Sequence, residues 1–227
     1  MDSNTPPLLE CIERETGPAP TWSVIWLHGL GADANDFVPL VPELVRKHWP
    51  AIRFVFPDAP VRAVTINNGV RMRAWYDIVD FDLANRADEA GVLESVAQVD
   101  ALIDREAARG VPASRVFLAG FSQGGAVTLA AGLRRSVPLA GLVALSTYLP
   151  AVRNAAALVD GAVRQPVFMA HGVQDPVVPL GAGAQSAAWL RQAGFDVAWQ
   201  QYPMPHSVCA EEVAALGDWF DARFAAG

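Results

Sequence analysis

Val116-Phe117-Leu118-Ala119-Gly120-Phe121-Ser122-Gln123-Gly124-Gly125-Ala126 is the stretch that decides how this chain folds. Val116 to Ala119 form a short, continuous apolar run, which suits a strand buried on both faces better than one with a wet side. From Gln123 to Arg134 small and aliphatic residues take over, as a helix requires. Gly120-Phe121-Ser122-Gln123-Gly124 joins the two with no room for a loop. A serine at the tip of so tight a turn is held in a strained backbone conformation, and a Cβ at Gly120 or Gly124 would collide across it. The hydroxyl is thereby lifted clear of the sheet. Gly-rich turns without chemistry share this pattern; the strand before it and the helix after it mark this one as a nucleophile elbow.

Outward from the elbow the same alternation repeats. Strands are predicted at Ser23–Leu27, Ile52–Phe56, Val116–Ala119, Leu142–Leu145, Val167–Ala170 and Asp196–Gln201, and helices at Asp36–Lys47, Leu93–Arg109, Gln123–Arg134, Gly183–Ala193 and Glu211–Phe224. In the second helix Leu93, Val96, Ala97, Val99, Leu102 and Ile103 are expected on the buried face, with Asp100, Asp104 and Arg105 toward water. Strand, helix, strand in succession gives an α/β fold: a mostly parallel, doubly wound sheet flanked by helices, with ligand sites beyond the carboxyl ends of the strands. Residues 1–20 are expected as an N-terminal segment able to add an edge strand, and 21–227 as a single domain. Pro57–Ala84 shows no regular pattern and is too long for a mere connector, which points to a functional loop.

Composition narrows the function. The 227 residues are 52% hydrophobic, enough for a sizeable core, and carry a net charge of −7 with a pI near 5.0. Such a surface repels phosphate backbones and anionic lipid, so no nucleic-acid partner is expected. Cys11 and Cys209 have neither the spacing nor the neighbours of a disulfide framework or a zinc site. The stretch Met1–Glu10 lacks the basic and apolar regions of a signal peptide, and Leu139–Leu145 is far shorter than a membrane span. A cytoplasmic protein without integral membrane association is expected.

A serine hydroxyl needs a base within reach and a third group to fix that base's tautomer. Of the four histidines, His48 sits at a polar helix end, while His28 and His171 end strands before glycine, where bracing a loop is the ordinary role. His206 follows the last strand and precedes the last helix. It fits the chain order serine, acid, histidine. Between Ser122 and His206 lie Asp160, Asp175 and Asp196. Asp196 starts a strand, at the wrong edge of the sheet, and the path around Asp160 has no assigned structure; Asp175, in the loop after Val167–Ala170, shares the carboxyl edge with Ser122 and His206. The oxyanion needs two backbone amides: that of Gln123, and one from an early loop, for which His28-Gly29-Leu30-Gly31 offers Leu30.

His28-Gly29-Leu30-Gly31-Ala32-Asp33, Gly120 through Ala126, His171-Gly172 with Asp175, and Tyr202-Pro203-Met204 before His206 together resemble the carboxylesterase and acyl-protein thioesterase (lysophospholipase-like) family of α/β-hydrolases. Thr65-Ile66-Asn67 and Met72 through Asp77 are similar to its strand-to-helix loop. The likeness runs from about Trp22 to Phe220. It implies hydrolysis of esters or thioesters through an acyl-enzyme, with no metal or organic cofactor. It further implies the triad Ser122, Asp175 and His206, oxyanion amides at Leu30 and Gln123, and an acyl groove lined by Trp75 with Met72. The expected substrate is a small ester or thioester, an acylated protein or a lysophospholipid, for a monomer or homodimer. Two positions depart from the family pattern: Pro205 stands where glycine usually precedes the histidine, and Arg73-Ala74 where Pro-Ser or similar precedes the tryptophan. Ser146–Gln165 is too short for a lid domain, so the Pro57–Ala84 loop is expected to roof the site. The alternatives are a non-catalytic small-ligand binding protein on the same fold, a dienelactone hydrolase or a peptidase.

Overall fold

The computed structural model describes residues 7–80, 87–150 and 162–226. Its main sheet has seven strands: β1 (Cys11–Glu15), β2 (Trp22–Leu27), β3 (Ile52–Pro57), β6 (Val116–Phe121), β7 (Gly141–Leu145), β8 (Val167–Gly172) and β9 (Val197–Tyr202). They run in the order β1-β3-β2-β6-β7-β8-β9. All neighbours are parallel except β1, which pairs antiparallel with β3 at the edge. From β2 the chain steps to β3 on one side and later crosses to β6 on the other. That reversal leaves a crevice at the carboxyl ends of β2 and β6, the switch point where open α/β sheets bind ligands.

Each central strand feeds two cores. Ile25 and Leu27 face a layer shared with α2 (Glu89–Ala108), α3 (Gln123–Gly132) and α4 (Leu180–Gln192), whereas Val24 and Trp26 face α1 (Val41–Leu44) and α5 (Ala210–Ala226). β2, β3, β6, β7 and β8 are buried almost throughout, which is why their sequences are continuous apolar runs. β9, at the other edge, is half wet.

Three expectations need correction. Asp36–Lys47 is no continuous helix: a 3₁₀ turn at Val38–Leu40 leads into the single turn α1, because Pro39 and Pro42 each remove an amide and fix φ. The helix predicted from Leu93 starts four residues earlier, where the Asp88 carboxylate caps the amides of Ala90 and Gly91. Its buried face therefore holds Val92, Val96, Val99, Leu102 and Ile103, while Leu93 and Ala97 face solvent. The Pro57–Ala84 stretch is not patternless, for β4 (Val61–Val64) and β5 (Val70–Arg73) pair as a hairpin closed by Asn68 and Gly69 at positive φ.

Candidate active site

Ser122 stands between β6 and α3 with φ 54° and ψ −118°, a conformation that only a tightly determined turn sustains. The flanking glycines explain how. A Cβ on Gly120 would lie 2.4 Å from the Gly124 backbone, and one on Gly124 would lie 2.4 Å from the Leu27 carbonyl oxygen. Backbone fastens the turn from the other side: the Ser122 amide donates to Leu145 O at 2.9 Å, and Thr147 Oγ1 donates to Ser122 O at 2.7 Å.

Asp175 lies in the loop after β8, its side chain wholly buried. Oδ1 accepts from the amides of Val177 and Val178 at 2.8 and 2.9 Å, so the carboxylate closes its own turn. Oδ2 accepts from His206 Nδ1 at 2.6 Å. That bond places the proton of a neutral His206 on Nδ1 and leaves Nε2 as the basic nitrogen. The His206 ring packs on Phe121, 4.7 Å between centroids, one residue before Ser122. Ser122 Oγ makes no hydrogen bond among the described residues, a looseness common in such sites until substrate is bound.

Pro205 fits this arrangement. The end of β8 presents Gly172, against which the Met204 and Pro205 carbonyl oxygens close so tightly that a Cβ would meet both at 2.3 Å. The loop is set by that contact and by Gln174 N donating to Met204 O. No residue from Tyr202 to Ser207 has a positive φ, so no glycine is required before His206.

The other strand-ending histidines brace loops, as expected from sequence. His28 accepts the Ala59 amide at Nε2, 3.1 Å, and its Nδ1–H donates to Gly29 O at 2.7 Å. His171 donates from Nε2 to Val178 O at 2.9 Å and lies 3.5 Å from Asp175 Oδ2. Burial pushes both imidazoles below the usual histidine range, so they are neutral at pH 7. His48 is exposed and bonds Asp221, and Asp196 pairs with Arg223 at the opposite edge. Asp160 lies outside the described residues.

Leu30 follows Gly29, whose α-carbon faces the Ser122 and Phe121 side chains, and precedes Gly31 at φ 76°. Neither the Leu30 nor the Gln123 amide has an acceptor among the described residues. Leu30, Ser122 and Gln123 share the wall of a cavity of about 40 Å³ with Tyr76, Ile78, Tyr148, Val177 and Val178.

Trp75 does not line that cavity. It is fully buried, with its indole N–H donating to His28 O at 2.9 Å and its ring against His28. Its amide donates to Gln123 Oε1 at 2.8 Å while Gln123 Nε2 donates to Tyr76 O at 2.7 Å. Buried polar groups demand such partners, and they convert Trp75 from a groove wall into a brace between the elbow and the His28 loop. Met72 is half-buried beside Gly31, with its sulfur accepting from Asn67. Arg73 turns away from the cavity: its guanidinium holds Asp58 at 3.0 Å and Ala59 O at 3.0 Å, and its carbonyl accepts the Gly31 amide at 2.9 Å. Tyr76 and Tyr148, which do line the cavity, escaped the sequence reading; adjacency to Trp75 was the one available signal for Tyr76.

The sequence profile of the phospholipase/carboxylesterase family of α/β-hydrolases matches residues 10–222. The chain belongs to this family. It is 38% identical over 229 residues to acyl-protein thioesterase 1 of Neurospora crassa, covering 96% of this chain and 91% of the relative. It is 34% identical to the carboxylesterase SOBER1 of Arabidopsis thaliana, covering 88% and 90%. The crystal structure of SOBER1 superposes with a TM-score of 0.82 at 32% identity over 89% of this chain and 98% of that one. Acyl-protein thioesterase 2 of Zea mays superposes with a TM-score of 0.79 at 27% identity, covering 95% and 99%. The fold is that of α/β-hydrolase esterases, and the chain is a hydrolase.

Proposed function

We propose that this hydrolase cleaves carboxylic esters or thioesters through an acyl-enzyme formed on Ser122. The observation that carries this reading is the His206 Nδ1 to Asp175 Oδ2 bond at the mouth of the strained Ser122 elbow. Ser122 Oγ attacks the acyl carbon as His206 Nε2 takes its proton; the amides of Leu30 and Gln123 hold the oxyanion; the leaving oxygen or sulfur departs with the proton from His206. Water then attacks the acyl-enzyme by the same route in reverse order. Asp175 fixes the tautomer and stabilises the imidazolium.

The small cavity between Tyr76, Tyr148 and the elbow favours short to medium acyl groups of soluble esters, since a methylene adds about 0.8 kcal/mol only while it is buried. Two unpaired cysteines and the sequence composition support a cytoplasmic setting. Among the described residues no helix is long and apolar enough to cross a membrane.

A fluorophosphonate probe tests the proposal: it labels one serine in the native protein, and Ser122→Ala removes both labelling and turnover of aryl esters. Wild-type esterase activity in Ser122→Ala would overturn it.

A further inference from the structure

A second cavity, of about 390 Å³, opens against His206, and its walls include Asp36, Phe37, Leu40, Phe121, His206 and Val208. It shares none of its lining residues with the cavity of Leu30, Ser122 and Gln123. The reaction gives the two different tasks. When the tetrahedral intermediate collapses, the bond from the acyl carbon to the leaving oxygen or sulfur breaks and that atom takes the proton from His206 Nε2. The leaving group therefore lies against the imidazole, while the oxyanion and the acyl chain face the amides. The cavity walled by His206 and by Phe121, the residue before Ser122, is thus the one placed for the leaving group.

The walls have a definite chemistry. Trp26, Phe37, Phe121 and His206 form a continuous ladder of rings, 5.1, 5.7 and 4.7 Å between successive centroids, which anchors the half-buried rungs to the core. Asp36 stands beside this aromatic wall, and its carboxylate has no side-chain hydrogen bond or ion pair among the described residues. The neighbouring carboxylates Asp33 and Asp58 are occupied: Asp33 Oδ1 accepts from Asn35, and Asp58 holds Ala34 and Arg73. An unpaired carboxylate beside aromatic faces attracts a cation by charge and by the ring quadrupole, and repels an anion.

We propose that this groove is the leaving-group subsite and that Asp36 makes it select alcohols or thiols bearing an ammonium group over neutral or anionic ones. The inference rests on the esterase reading above. The probe pair is the acetyl ester of 2-(trimethylammonio)ethanol and that of 3,3-dimethylbutanol, which match in shape and differ in charge. At pH 8 and low salt the ratio of kcat/KM, cationic over neutral, is expected at roughly three to five in the native protein, the size of an exposed ion or cation–π contact. It falls toward one in Asp36→Asn, persists in Asp36→Glu and inverts in Asp36→Lys; raising salt compresses it. Ser122-dependent turnover of both esters with the same ratio in the native protein and in Asp36→Asn would overturn the subsite while leaving the hydrolase reading intact. Failure to turn over either ester while Ser122-dependent turnover of aryl esters persists would likewise overturn the subsite, whereas absence of Ser122-dependent turnover of aryl esters would remove the esterase reading itself.

Discussion

Asp175 divides its carboxylate between its own loop and His206: one oxygen closes the turn onto the amides of Val177 and Val178, and the other receives the His206 Nδ1–H at 2.6 Å. The same carboxylate thus fixes its own position and, in the proposed mechanism, orients His206 as the base. In Asp175→Asn the amide still fills the turn but can present its NH₂ to Nδ1, which selects the wrong tautomer. A loss of about 10⁴ in kcat is expected with the melting temperature nearly kept. Rates within tenfold of native would show that another group orients His206.

Trp75 now carries a different expectation from a groove wall. Trp75→Phe keeps most of the ring and loses the hydrogen bond to His28 O, so the His28–Gly31 loop loosens. A stability cost of about 1 kcal/mol and a fall in kcat of similar proportion for acetyl, butyryl and octanoyl esters are expected. A change in KM that grew with acyl length would return Trp75 to the groove.

Two glycines with different constraints test the elbow. Gly69 has φ 74° with nothing within 4 Å of an added Cβ, so Gly69→Ala is expected to cost about 1 kcal/mol, from backbone strain alone. Gly124→Ala drives a Cβ into the Leu27 and His28 carbonyl oxygens, which belong to a buried strand end and cannot yield. Loss of soluble protein or at least 3 kcal/mol of stability is expected, read by denaturant unfolding.

Glu212 gives a pH signature independent of the triad. It is fully buried in the first turn of α5, and burial raises its carboxyl to about 8, only partly offset by the nearby Cys209 amide. Between its unfolded pKa of 4.5 and about 8 the folded chain holds a proton that the unfolded chain has released. Stability contributed by this group is therefore full below the unfolded value and declines as pH rises toward 8. Glu212→Gln, which does not titrate, should match the native protein near pH 5 and exceed it by on the order of a few kcal/mol at pH 8.5. An equal gap at both pH values would show that Glu212 does not change protonation on folding.

The tight turn at Ser122 and the strand-end placement of Asp175 and His206, on which the proposed triad rests, were legible in the chain because they depend on local sequence. A tight turn at Ser122 demands Gly120 and Gly124 within five residues, and strand-end positions of Asp175 and His206 follow from the alternation of apolar runs. The half-wet edge at β9, the start of α2 at its Asp88 cap and the broken helix at Pro39 and Pro42 were written there too, in capping and proline signals weaker than hydrophobic periodicity. Trp75 was not: an aromatic residue near a site has the same sequence signature whether it faces substrate or core, and only the placement of the His28 carbonyl and the Gln123 amide decides. The same holds for Asp36. The sequence alone determined the strands and the strained serine, since each depends on neighbours along the chain. Tertiary structure decided which side chains brace the site and which line its two cavities, since those depend on contacts between segments tens of residues apart.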